Sequence, residues 1–91
     1  MKVEVRIGGS LRKFAGGRSV ITLTAPGSTP IVDRLAVEHA ELHASITASD
    51  GRLLPFVRMY LNQHQLDRNG AADRPLADGD VVNIITAVAG G

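Results

Sequence analysis

Asp78-Gly79-Asp80-Val81-Val82-Asn83-Ile84-Ile85-Thr86-Ala87-Val88-Ala89-Gly90-Gly91 is the stretch on which the reading of this chain turns. Asp-Gly-Asp is turn chemistry: glycine supplies φ > 0, and aspartate side chains bond the local backbone. A strand is predicted from Val81 to about Ala87. Val82 and Ile84 fall on one side of it, and Val81, Asn83 and Ile85 on the other. The sequence then runs out in two glycines. Such a stem has no Cβ and can thread a passage too narrow for any side chain. The carboxylate at its end becomes a candidate reacting group; the plain alternative is a frayed end.

Upstream, Val3, Val5 and Ile7 alternate with Lys2, Glu4 and Arg6, the period-two pattern of a strand with one buried face. Gly8-Gly9 stops it. A second strand is expected within Arg18 to Thr24, after the Gly16-Gly17 turn, with Leu11 and Phe14 plugging the core between them. Thr29 followed by Pro30 predicts a helix capped at Thr29 with proline at its first position. Ile31, Leu35 and Leu42 share one face if the helix continues or resumes past His39. Ile46 is placed in a satellite turn before Asp50-Gly51. Phe56 to Leu61 predicts a third strand, with Val57, Met59 and Leu61 opposite Phe56, Arg58 and Tyr60. Turns follow at Asn62-Gln63-His64 and Asn69-Gly70, with a minor strand or turn near Gln65 to Arg68, and Leu76 anchors the last connection. The fold class is α+β: a small mixed sheet with one main helix on one face.

Ninety-one residues suffice for one core. Net charge is +1 with acids and bases interspersed, which argues against a nucleic-acid partner. No apolar run approaches the ~20 residues of a membrane span, and no signal-peptide pattern opens the chain, so a cytoplasmic location is expected. The absence of cysteine excludes disulfides and a cysteine nucleophile. His39 and His43 have i, i+4 spacing but no evident third ligand, so a solvated helix face is expected and no metal site. Asp78 and Asp80, split by Gly79, read as a turn and not as a catalytic carboxylate pair.

Three segments in order, Leu11-Arg12 with Gly16-Gly17, Leu76-Ala77-Asp78-Gly79-Asp80, and Ala87-Val88-Ala89-Gly90-Gly91, resemble the ThiS/MoaD family of ubiquitin-like sulfur carriers. Phe56-Val57-x-x-Tyr60-x-Asn62 and the Ala-Val-Ala-Gly-Gly ending look most like its CysO-type members. Where many relatives carry proline shortly before Gly-Gly, this chain has Thr86 and Ala87, which speaks against the molybdopterin-synthase subgroup. The resemblance implies a β-grasp fold, with the first and last strands side by side at the sheet centre. It implies a folded body over 1–86 and a flexible tail over 87–91.

The same resemblance implies a carrier that is not an enzyme but a co-substrate. An E1-like adenylyltransferase/sulfurtransferase of the MoeB/ThiF/MoeZ-like kind would use ATP and Mg to adenylate Gly91, and sulfur would then leave a thiocarboxylate there. A sulfur-accepting biosynthetic enzyme, for cysteine or another sulfur-containing metabolite, would be the second partner. No cofactor is expected on this chain itself, since its glycine pairs lack the Gly-x-x-x-x-Gly-Lys-Ser/Thr spacing of a nucleotide loop. Val88, Ala89 and Gly90 would enter the partner channel, because the extended stretch from Thr86 to Gly91 spans roughly 20 Å. Phe56, Arg58, Tyr60, Val81 and Ile85, on the sheet face away from the helix, are the expected docking patch. A free monomer is expected. The alternatives are the small subunit of molybdopterin synthase, a ubiquitin-like modifier forming isopeptide bonds, and a binding module with an inert tail.

Overall fold

The computed structural model describes residues 2–24, 30–71 and 76–87. Strand β1 (Lys2–Ile7) leads through a 3-10 helix (Gly9–Ala15) to β2 (Val20–Thr24). Helices α1 (Ile31–Glu38) and α2 (Ala40–Ile46) follow, then β3 (Val57–Leu61), the short β4 (His64–Gln65) and β5 (Val81–Thr86). The sheet order is β2-β1-β5-β3-β4. β1 and β5 run parallel at its centre, and the other neighbours are antiparallel. This is the β-grasp arrangement expected from the family resemblance.

Alternation sets the register. Leu23 faces Val3, Ile21 faces Val5, Val5 faces Val82, and Ile7 and Met59 both face Ile84. All of these side chains point to the buried side. A one-residue slip of β1 would place Lys2, Glu4 and Arg6 in the core, so the apolar pattern enforces this pairing. Ile31, Val32 and Leu35 of α1, with Leu42 and Ile46 of α2, cover the same face. Burying a side chain of this size stabilises by about 1.5–3 kcal/mol relative to leaving it exposed. Leu11 and Leu76 are buried at the margins, and Phe14 packs partly against the core, in the plugging positions expected for Leu11 and Phe14.

Three details depart from expectation. Pro30 is the residue before the helix and not its first position, while Thr29 lies outside the described residues. The helix is two segments: His39 takes φ −141° and ψ 64°, ending α1 and opening α2. The break keeps the chain hydrogen-bonded, since His39 N–H donates to Leu35 O at 2.8 Å and His43 N–H to His39 O at 3.0 Å. It also frees the His39 ring to meet the Thr22 carbonyl on β2 at 2.9 Å. Ile46 is the last residue of α2, fully buried, where a satellite turn had been expected.

The outer edge of β2 is covered from α1. The Thr24 amide donates to both Glu38 carboxylate oxygens, at 3.1 and 3.2 Å, and Arg34 pairs with Glu38 at 2.6 Å. The Thr24 bond, more than Arg34, holds the Glu38 carboxyl below the usual carboxylate range against the opposing effect of desolvation. Side chains that occupy edge amides and carbonyls deny the edge to a foreign strand.

Candidate functional site

Strand β5 carries the tail, and both of its neighbours hold its end. On one side the Gly8 amide donates to Ile84 O at 2.8 Å, and the hydroxyls of Ser10 and Thr86 are 3.0 Å apart. The absence of a side chain at Gly8 permits this approach, because a Cβ there would sit 3.3 Å from Ile84 O. On the other side Val57 pairs with Thr86, and Ala87 N–H donates to Phe56 O at 2.6 Å. The ladder therefore reaches Ala87. The candidate residues Val88, Ala89, Gly90 and Gly91 lie outside the described residues.

The start of β5 is held by a polar knot. Asp80 is buried, and its carboxylate accepts from the Ala77 amide at 2.8 Å and from the Asn62 side-chain amide at 3.3 Å. Asn62 in turn accepts from Val81 N–H through its side chain and donates its own amide to Val81 O at 2.7 Å. Asn62 has φ 56°, a left-handed conformation that asparagine tolerates better than most residues. Asp78 accepts from the Lys2 amide at 2.9 Å. Both aspartates thus work as backbone acceptors at the Gly79 turn, in keeping with the turn reading. Among the described residues no group of three or more His, Cys, Asp or Glu side chains gathers as a metal site.

Of the five expected docking residues, Arg58, Tyr60, Val81 and Ile85 alternate with buried strand neighbours and so lie away from the helices. Phe56 sits in the turn before β3, two residues before Arg58, and the five do not form one compact patch. Arg58 of β3 lies directly across from Ile85 of β5. Phe56 is 42% and Ile85 39% exposed, among the most exposed large apolar residues described. This trio sits beside the point where β5 ends. Tyr60, half-buried, is one row further along, opposite Asn83. Val81 lies at the far end of β5 beside Glu4, about 13 Å from Ile85 at the usual strand rise. Between Val81 and Ile85 stands a polar row, Arg6-Asn83-Tyr60-Gln65, which sequence alternation did not single out. Only the cross-strand register brings those four residues into line. Arg6 is further paired with Glu4 at 2.5 Å on this face.

With this geometry in hand, similarity to known proteins is informative. The ThiS family model matches residues 5–91. The chain is 30% identical over 93 residues to the sulfur carrier protein CysO of Mycobacterium tuberculosis, covering all of both chains. The crystal structure of the Amycolatopsis orientalis BexX/CysO complex is similar at 29% identity and a TM-score of 0.75, over 98% of this chain and 99% of that one. SAMP1 from Haloferax volcanii shares the fold at a TM-score of 0.77 and 21% identity, over the full length of both. A central parallel β1–β5 pair, helices on one face and a family match running to Gly91 agree: this chain belongs to the ThiS family and is a β-grasp protein of the sulfur-carrier type.

Proposed function

We propose that the chain carries sulfur as a thiocarboxylate on Gly91, and that it serves as a co-substrate for partner enzymes. The observation that carries this reading is the full-length similarity to CysO, with the family match extending through Gly91. The folded body over 1–86 presents the tail over 87–91, whose first residue, Ala87, is still tied to Phe56. Gly91 supplies the reacting carbonyl, Gly90 gives clearance, and Val88 and Ala89 line the partner channel.

The chemistry follows from the acid. A C-terminal carboxyl has a pKa of about 3.3–3.7, so at neutral pH it is an anion and a poor electrophile. An E1-like adenylyltransferase transfers AMP from Mg-ATP to the carboxylate oxygen and releases pyrophosphate. A sulfur nucleophile then attacks the acyl-adenylate and expels AMP. When the nucleophile is sulfide, this leaves the thiocarboxylate directly. When it is a donor persulfide, a thiol must then attack the donor-side sulfur of the acyl disulfide, forming a disulfide with the donor and releasing the thiocarboxylate. Transfer of the sulfur to an acceptor, in the biosynthesis of cysteine or another sulfur-containing metabolite, followed by hydrolysis of the acyl group, returns the carboxylate. Phe56, Arg58 and Ile85, beside the end of β5, guide docking, with Tyr60 and Val81 extending the face. An exposed apolar pair beside an arginine has the make-up of an interface centre.

Pyrophosphate release tests the first step. With the activating enzyme, Mg-ATP and this chain, release should depend on the chain and vanish when Gly90 and Gly91 are removed. Release that persists without those glycines overturns the assignment of Gly91. Lysine-linked ladders on other proteins, in place of a charged monomer, would mark a ubiquitin-like modifier instead.

A further inference from the structure

A groove of about 430 Å³ lies at the β3–β4 end of the sheet, beside the turn that leads into β3. Arg52, Arg58 and Arg68 line it, with Asp67 the one acid among the described residues of its walls. In a chain of net charge +1 this is a local concentration of positive charge. None of the three arginines is ion-paired among the described residues, whose two ion pairs are Arg6–Glu4 and Arg34–Glu38. Asp67 is already occupied as the acceptor of the Asn69 amide at 2.9 Å.

Two of the guanidiniums are held in place by the protein's own backbone. Arg68 Nε donates to Leu53 O at 2.8 Å, and Arg58 Nη1 donates to Pro55 O at 2.5 Å. These carbonyls are two residues apart, so the loop fixes both side chains while leaving other N–H groups of each unused. Arg52 is exposed and donates through no side-chain bond among the described residues. Leu66 and the exposed Pro55 supply apolar surface between the charges, over the buried Leu53 and Val57. Leu66 N–H donates to Met59 O, which makes Tyr60 and Gln65 a pair without ladder bonds. The Gln65 N–H and C=O therefore point away from β3, along an open sheet edge.

We infer that this groove docks an acidic, extended segment of a partner protein. Its carboxylates pair with Arg52, Arg58 and Arg68, and an apolar side chain between them rests on Leu66 and Pro55. Guanidinium forks match carboxylates, and pre-fixed arginines lose little freedom on binding. The free Gln65 edge favours a peptide backbone as the occupant. A nucleotide fits less well, since among the described residues no aromatic side chain lines the groove to stack a base. The inference rests on the carrier reading only in needing partner proteins; the groove itself is independent of Gly91.

Titration of the ¹⁵N-labelled full chain with the peptide acetyl-Glu-Val-Glu-Leu-Glu-Val-amide tests it by NMR. Shifts should centre on the amides of Gln65, Leu66 and Arg68 and on the arginine Nε–H signals. Arg52→Glu and Arg68→Glu should each weaken binding by about fivefold or more, and added salt should weaken it further. Arg52→Glu alters no side-chain bond, so its well-dispersed spectrum provides the folded control. Equal binding of the matching Gln-Val-Gln-Leu-Gln-Val peptide, shifts centred on Phe56 and Ile85, no saturable shift, or unchanged affinity in folded Arg52→Glu would each overturn the inference. Tighter binding of ADP or inorganic phosphate in the same groove would also overturn it, in favour of a phosphate site. Gly91 takes no part in this titration, so its failure leaves the charging reaction untouched, and failed charging leaves the groove untouched.

Discussion

Ala87 donates its amide to the carbonyl of Phe56 at 2.6 Å, one step beyond the Val57–Thr86 pair that closes the β3–β5 ladder. The core, the ladder and the turn contacts described above are all made by residues up to Ala87. Removing Gly90 and Gly91 takes nothing from them. Deletion of the two glycines should change unfolding stability by less than about 0.5 kcal/mol while abolishing charging. Chemical denaturation of both chains checks this, and a large stability loss would mean that the tail is packed and structural.

Gly70 is where backbone and core constrain each other most tightly. It has φ 63°, its carbonyl accepts from Val32 N–H, and a Cβ at this position would meet Val32 Cγ2 at 2.0 Å. Gly70→Ala therefore adds backbone strain to a clash with a buried valine. A destabilisation of about 2–4 kcal/mol is expected, read from urea unfolding midpoints. Gly17→Ala makes a useful comparison: it has a similar φ of 80° but nothing within 4 Å, so only the backbone cost should remain.

The Glu38 carboxylate ties α1 to the β2 edge, and its folded pKa is depressed, first by the Thr24 amide. A depressed carboxyl stabilises the fold above its unfolded value of about 4.3, and that contribution is lost as pH falls through the folded value. Glu38→Gln should therefore be less stable than the parent at neutral pH. The difference should shrink with acidification below about pH 4. Thermal melts across that range check the sign, and a difference that grows on acidification would contradict it.

Ile85 and Arg58 face each other beside the end of β5. Ile85→Glu places a charge on the exposed face without entering the core. Affinity for the activating enzyme should fall by about tenfold or more with the melt nearly unchanged, if this face docks. The same change at Val81, at the far end of the strand, should have a smaller effect. Calorimetric titration of both variants separates the two ends of the face, and equal affinities for parent and Ile85→Glu would remove it from the docking surface.

Much of this architecture is legible in the sequence because one face of the sheet is buried. Val3, Val5 and Ile7, then Val57, Met59 and Leu61, then Val82 and Ile84 declare their strands by alternation alone. Asp78-Gly79-Asp80 declares its turn through glycine. The break at His39 is not legible in the same way, because no proline or glycine marks it; the Thr22 contact and the packing of Leu42 and Ile46 compensate for it. The β3–β4 arginine groove is equally silent. Arg52, Arg58 and Arg68 are spread along the chain, and only the pairing of β3 with β4 and the bonds between Leu53 and Arg68 gather them. The outer face shows the same limit: alternation places Arg58, Val81 and Ile85 on one side, but register decides that Arg58 and Ile85 pair while Val81 lies apart.

The mass of the intact chain tests the central claim most directly. Incubated with its activating enzyme, Mg-ATP and a sulfur donor, the chain should gain about 16 Da, as one sulfur replaces one carboxyl oxygen on Gly91. The chain lacking Gly90 and Gly91 should not change. No gain in the full chain, under conditions that charge a known carrier, would contradict a sulfur-carrying role for Gly91.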